Sequence, residues 1–192
     1  YELQDSNFAL EVNEVYQDLR GYGTAGITLD ENPGTGWTGL NFAAVPLKEM
    51  FFEENYRGTV ERFYRRKQWT PTEMISKFGD KVPDTIRKQE EAGSTDKHNV
   101  LFVIYPTGNK VNEVGKRQAQ SRRPFEFMYI LENSAEELGD RGSYYEMPAF
   151  IPRWRKTSSS IWGNSPAHIA LGDIRTLNDA REMQLRAAAK LI

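Results

Sequence analysis

Cysteine is absent from all 192 residues. With it go disulfide bonds, thiol nucleophiles, thiolate zinc sites and iron–sulfur clusters. Histidine is scarce: His98 and His168 are the two in the chain, too few for a histidine-ligated metal centre. Long apolar runs are missing as well. The mean hydropathy is −0.66, and no stretch approaches the roughly 18 apolar residues that a membrane helix needs. The first residues carry no charged-then-apolar leader, so no signal peptide is expected. An excess of one charge is lacking too, since 25 basic residues face 27 acidic ones for a net of −2. What the chain does have is aromatic residues, 12% of the total. That content argues against disorder, and the length suits one domain, alone or with an appendage.

The near-zero net charge conceals a division. Residues 1–60 hold 10 acidic and 3 basic side chains, a net of −7. Residues 61–130 hold 9 and 14, a net of +5, and residues 131–192 hold 8 of each. Such polarity steers a polyanion, or matches one subunit's edge to the next in a ring. A solvated surface of uneven charge gives the same pattern, and on charge alone both readings stand.

Phe8, Val12, Val15, Tyr16 and Leu19 recur at helical spacing, with Asp5, Ser6 or Asn7 as caps and Gly21 as the stop. Residues 27–29 have strand character, and Asn32-Pro33-Gly34 is a turn signal. Residues 40–52 read as one or two strands interrupted at Pro46, and 60–69 as a basic strand. Thr70, Pro71 and Glu73 form a capping box with proline in the first helical position. They open a helix that turns Met74, Ile75 and Phe78 inward and stops at Gly79. Residues 83–92 read as a second short helix, stopped by Gly93. The apolar run 100–105 predicts a strand buried on both faces, with 125–131 as its hairpin partner. Residues 108–124 predict a long flexible loop carrying Lys110, Lys116, Arg117, Arg122 and Arg123. Pro148 and Pro152 confine 147–154 to an edge strand or extended arm, and 157–160 read as a polar linker. Pro166 opens a short helix, and Asp173 caps a longer one ending in Ala187-Ala188-Ala189. No stop follows, and the first residue is Tyr1 rather than Met. Both features predict a piece of a longer protein.

Gly21, Gly23 and Gly26 satisfy G-x-G-x-x-G, but the dinucleotide fingerprint needs a strand before it and a helix after it. Here the order is reversed, and tight helix-to-strand packing explains the glycines. Ser158, Ser159, Ser160, His168 and Asp173 supply the residue types of a hydrolase triad. No nucleophile elbow surrounds any of these serines, and His168 reads as a packing or capping residue. Asp30, Glu31, Glu53 and Glu54 read as solvated, and no acids fall at metal-loop spacing. No catalytic residue, metal or cofactor is therefore assigned. Between Arg62 and Trp69 bases alternate with aromatics. Arg62, Tyr64 and Arg66 share one strand face; Phe63, Arg65, Lys67 and Trp69 share the other. Such a strip holds phosphates and stacks bases. No second copy of it is legible on a neighbouring strand, and an amphipathic strand with snorkelling arginines is the simpler account. Lys116, Arg117, Arg122 and Arg123, on a loop, are better placed to reach a phosphate backbone.

The last third carries a more specific pattern. Phe150-Ile151-Pro152-Arg153-Trp154-Arg155-Lys156 is followed by Ser160-Ile161-Trp162-Gly163-Asn164-Ser165-Pro166. Then come Ala170-Leu171-Gly172-Asp173-Ile174-Arg175-Thr176-Leu177-Asn178 and the alanine-rich helix. This resembles the head-to-tail connecting (portal) proteins of short-tailed bacteriophages. That family carries a P-R-W segment, an aromatic-G-x-x-P turn, and A-L-x-D-I-x-x-L-N running into an Ala-rich helix. Gly21 to Ile27, Ala44-Val45-Pro46-Leu47 and the helix ending Phe78-Gly79-Asp80 agree in order, so the resemblance spans nearly the whole chain. Trp162 stands where Tyr is more usual.

The resemblance implies an α+β fold: a mixed or antiparallel sheet with flanking helices, followed by the start of a long C-terminal helix. Residues 1–160 are then the wing domain, and 161–192 the helical segment leading into the stem. It implies a structural protein without a catalytic site, assembled as a dodecameric ring at a capsid vertex, through which double-stranded DNA is packaged and ejected. The implied partners are further copies of itself, the terminase, capsid or scaffold proteins and tail adaptors, in the virion and, during assembly, the host cytoplasm. Lys116, Arg117, Arg122, Arg123, Arg62 and Arg66 are the candidates for contact with DNA or a neighbouring subunit. Trp154, Trp162 and Pro166 are the candidate anchors between wing and stem. A non-enzymatic nucleic-acid-binding α+β module outside that family is the other reading.

Overall fold

A computed structural model of the chain describes residues 3–31, 38–107 and 123–190. The helices are α1 (Phe8–Tyr22), α2 (Pro71–Phe78), α3 (Asp84–Glu91) and α4 (Pro166–Ala189). The strands are β1 (Gly26–Glu31), β2 (Leu40–Val45), β3 (Met50–Glu54), β4 (Val60–Trp69), β5 (His98–Pro106), β6 (Phe125–Leu131), β7 (Glu136–Tyr144) and β8 (Ala149–Phe150). They form two sheets, ordered β2-β1-β8 and β3-β4-β5-β6-β7, so the architecture is α+β as the sequence predicts. The chain divides into two compact units. One comprises Tyr1–Ile27, Glu31–Ala44 and Ile151–Ile192; the other comprises Thr28–Asp30 and Val45–Phe150. The turn at 32–34 and the loop residues 108–122 lie outside the described residues.

In the second unit Pro46 ends β2, and a single 3-10 turn at Leu47–Glu49 leads into β3. The five strands pair antiparallel throughout, with Phe52 opposite Phe63, Phe63 opposite Ile104, and Ile104 opposite Phe127. Phe52, Phe63 and Ile104 are buried. Four residues along β5 and β6, on the same face, Met74 of α2, Val82 of the connection and Ile86 of α3 join Val100, Leu131 and Leu138. The adjacent Val103 and Ile104 are both buried. Since neighbours in a strand point to opposite sides, the central strand β5 is covered on both faces at that point.

The capping chemistry of α2 is present in full. Thr70 Oγ1 accepts from Glu73 N at 3.4 Å, and the Glu73 carboxylate accepts from Thr70 N at 2.8 Å. Gly79 closes the helix by donating its N–H to Ile75 O. β7 was not legible as a strand, because it carries charges and two glycines. Both glycines answer to distant rings: a β-carbon at Gly139 would lie 2.7 Å from the Phe78 ring, and one at Gly142 would overlap Phe127.

In the first unit Asn7 does not cap α1 with its side chain. Its amide instead mimics a strand, donating to Phe42 O at 2.7 Å and accepting from Phe42 N at 2.8 Å. Glu11 accepts from Ala44 N at 2.6 Å, and the Phe8 and Phe42 rings meet edge-on at 5.0 Å. α1 continues through Gly21, and the stop is Gly23, at φ 81°. The C-terminal segment also differs from expectation. It is one helix of 24 residues, and Asp173 lies inside it. The cap is Ser165, whose Oγ accepts from His168 N at 2.8 Å.

The Thr70 N–H holds the Glu73 carboxyl below its ordinary value of 4.5. A lowered carboxyl stabilises the fold above its unfolded pKa, and that contribution is lost as pH falls through the lowered value. A Glu73→Gln variant should therefore lose less thermal stability on acidification than the parent. Thr70→Ala should cost about 1 kcal/mol at neutral pH, read from urea unfolding.

Candidate assembly interface

The basic strand β4 meets its counter-charges within the same sheet. Arg62 pairs with Glu53 at 2.9 Å, Arg65 with Glu49 at 3.2 Å and Arg66 with Glu132 at 2.7 Å. Antiparallel register produces the first of these, because Glu53 sits directly opposite Arg62. Glu53 also accepts from the Tyr64 hydroxyl at 3.1 Å. Burial first, and then that hydrogen bond, push the phenol's pKa up. Aromatics lie on the neighbouring strands without alternating bases, and they pack on one another. Phe102 and Tyr129 are 4.6 Å apart, Phe127 and Tyr144 4.8 Å, and Tyr129 and Phe78 5.1 Å. Lys77 Nζ caps this cluster 4.6 Å from the Tyr129 ring centre. Rings engaged in this way are not a free platform for bases.

The most closely built feature of the first unit is the joint between the end of α1 and the start of α4. Thr24 Oγ1 accepts from Gly163 N at 2.8 Å. Trp154 N donates to Gly23 O at 2.8 Å, Ala25 N to Pro152 O at 3.2 Å and Asn164 N to Arg155 O at 2.7 Å. Thr24 is 1% exposed and Ser165 2%; both hydroxyls are satisfied, as buried polar groups need to be. The two backbones approach so closely that neither glycine has room for a side chain. A β-carbon at Gly23 would lie within 2.6 Å of Gly163 O, and one at Gly163 would overlap the Gly23 carbonyl.

From this joint α4 extends for about 36 Å at 1.5 Å per residue. None of its residues is buried. Leu171, Ile174, Leu177 and Leu185 are exposed, and with Ala167, Ala170 and Ala188 they fall on one side of the helix. Arg175, Asp179, Glu182 and Arg186 cluster about 115° away, and Asn178 and Arg181 interrupt the apolar side between Leu177 and Leu185. The uninterrupted apolar part, from Ala167 to Leu177 on open helix, is a surface suited to contact.

Of the residues singled out from sequence, Lys116, Arg117 and Arg122 lie outside the described residues. Arg123 is described, with its guanidinium 4.7 Å from the Tyr145 ring centre. Arg62 and Arg66 carry the ion pairs given above. Trp154 is 60% exposed and Trp162 39%. Pro166 occupies the first turn of α4. Ser158–Ser160, His168 and Asp173 do not form a constellation: His168 and Asp173 sit about 140° apart around one helix. Sequence reasoning missed Ser165 and Thr24. Ser165-Pro166 repeats the Thr70-Pro71 start signal and was open to the same inference; Thr24 has no comparable local signal. Among the described residues no helix is long and apolar enough to cross a membrane.

Comparison with known proteins matches residues 1–192 to the family model described as bacteriophage head to tail connecting protein. The chain is also 28% identical over 187 residues to a probable portal protein of Bordetella phage BPP-1. The match covers 95% of this chain and 32% of that relative, so the chain spans about a third of its length.

The joint yields a direct test. Gly163→Ala forces apart two hydrogen-bonded backbones, and overpacking of this kind costs roughly 1–3 kcal/mol or more. The variant should melt several degrees below the parent, whereas Gly172→Ala, where nothing lies within 4 Å, should not.

Proposed function

The chain belongs to the bacteriophage head to tail connecting protein family, and from that premise we propose that it is a structural part of a phage portal. In this reading copies of the protein form a dodecameric ring at one capsid vertex, and double-stranded DNA is packaged and ejected through its channel. Residues 1–160 supply the wing, and residues 161–192 lead into the stem. The terminase, capsid or scaffold proteins and tail adaptors dock on the ring, which assembles in the host cytoplasm and remains in the virion. A nucleic-acid-binding module outside this family is not favoured, because the family match extends over the whole chain.

The observation that carries the reading is α4. A helix of 24 residues with none buried lacks the tertiary packing that stabilises most helices. In a ring, the same helix from adjacent copies covers its apolar side. The basic residues Lys116, Arg117, Arg122 and Arg123 are assigned to DNA or to an acidic neighbouring subunit, and Arg62 and Arg66 to the subunit edge. Trp154, Trp162 and Pro166, which flank the start of α4, are assigned to anchoring the stem on the wing.

Electron microscopy of the natural full-length protein should show a ring with a central channel; a full-length protein that stays a monodisperse monomer would remove the assignment. Leu171→Asp with Ile174→Asp should shift assembly to smaller species at unchanged helicity by circular dichroism. Reversing the charge of Arg122 and Arg123 together should weaken DNA retention or ring assembly. Unchanged packaging and oligomer size in that variant would strike those residues from the contact.

A further inference from the structure

Two features far apart in sequence have complementary and unused chemistry. The first is the tip of the β3–β4 hairpin, which is tied down by one side chain. Asn55 Oδ1 accepts from Arg57 N at 2.9 Å, from Thr59 N at 3.2 Å and from Thr59 Oγ1 at 2.9 Å. Asn55 N donates to Thr59 O, and Gly58, at φ 76°, donates back to Asn55 O. On this rigid turn Tyr56 is 90% exposed. The Arg57 guanidinium lies 5.2 Å from the Tyr56 ring centre, and among the described residues it has no carboxylate partner. Tyrosine and arginine on a pre-organised turn are the residue types that dominate interface energetics, with little ordering cost left to meet.

The second feature is a groove of about 610 Å³ between the last turn of α1 and the first turn of α4. Its walls include Tyr22, Pro166, Ala167 and Ala170, and Asp18 stands in it. The Asp18 carboxylate is partly buried and has no hydrogen bond or ion pair among the described residues. Burial pushes its pKa up. Arg20 also lines the groove, but two residues on it lies about 200° around the helix from Asp18 and makes no pair with it. Glu14, one turn before Asp18, adds a like charge that disfavours the isolated helix. An apolar wall around an unpartnered carboxylate suits a side chain with an apolar stem and a cationic head.

We propose that the Tyr56–Arg57 tip of one copy docks in the α1–α4 groove of the next, pairing Arg57 with Asp18. This rests on the ring reading above. Tip and groove are different patches of one chain, so the contact is heterologous, the kind that closes into rings.

The test is a charge exchange in the assembled protein, read as the concentration for half-assembly by native mass spectrometry. Asp18→Arg and Arg57→Asp should each raise that concentration about tenfold or more. Tyr56→Ala should raise it too, and the Asp18→Arg/Arg57→Asp double exchange should return it to within about threefold of the parent. Equal thermal midpoints would establish that each variant folds. If the single variants assemble like the parent, or the double exchange is no better than either, the docking is wrong while the rings themselves leave the portal reading intact. Weakening by Asp18→Arg alone would mean that another cation fills the groove, which also overturns the pairing. A parent protein that forms no ring overturns both readings.

Discussion

Two backbones meet at Gly23 and Gly163 with no side chain between them, and the course of the longest helix follows from that meeting. Gly23 is doubly constrained, by a left-handed φ of 81° and by the carbonyl of Gly163 against its α-carbon. The Thr24 hydroxyl then takes the Gly163 N–H, and two residues later Ser165 caps α4. The helix is thus directed from its first residue by hydrogen bonds to the end of α1. No residue of α4 is fully buried, and its partial cover, at Pro166 and Ala170, is confined to its first turns. A helix held at its root and open along its shaft leaves its apolar residues available for contact. That openness agrees with the family membership.

Elements whose cause lies within a few residues were legible in the sequence. The Thr70-Pro71-Glu73 start, the break at Pro46 and the pairing of β5 with β6 are local or strongly patterned, and all are present. Features whose cause lies far along the chain were not legible. Gly21 and Gly23 look alike as stops, and the choice falls on Gly23 because Gly163, 140 residues on, needs that backbone close by. Asp173 lost the capping role to Ser165 because the joint orders Ser165 before the helix begins. β7 stays hidden in sequence because Gly139 and Gly142 are dictated by the rings of Phe78 and Phe127. The candidate site divides in the same way. Its family motif was readable as a string of residues, whereas the exposed side of α4 depends on what fails to pack there.

Charge behaves similarly. Along the sequence an acidic third precedes a basic one, which invites a picture of two oppositely charged surfaces. In the sheet, β3 and β4 lie side by side, and Glu49 and Glu53 of the acidic third pair with Arg65 and Arg62 of the basic one. The exposed Arg62–Glu53 pair stabilises by only about 0–1 kcal/mol, and the Arg65–Glu49 pair is more covered. Their larger effect is subtraction, because a charge satisfied within the sheet is costly to offer elsewhere.

Asp18 and Glu14 on α1, and Arg57 on a turn held by Asn55, are among the charges that no ion pair compensates within the described residues. Steering between copies depends on such uncompensated charges rather than on net charge, since screening over about 8–10 Å at physiological salt suppresses distant ones. A heterologous ring contact needs two dissimilar, complementary patches on one chain and no self-complementary one, because an isologous patch closes into a dimer instead. Carboxylates on α1 and an arginine on the β3–β4 tip meet that requirement. The two patches are dissimilar, and the pairing of Arg57 with Asp18 joins one to the other.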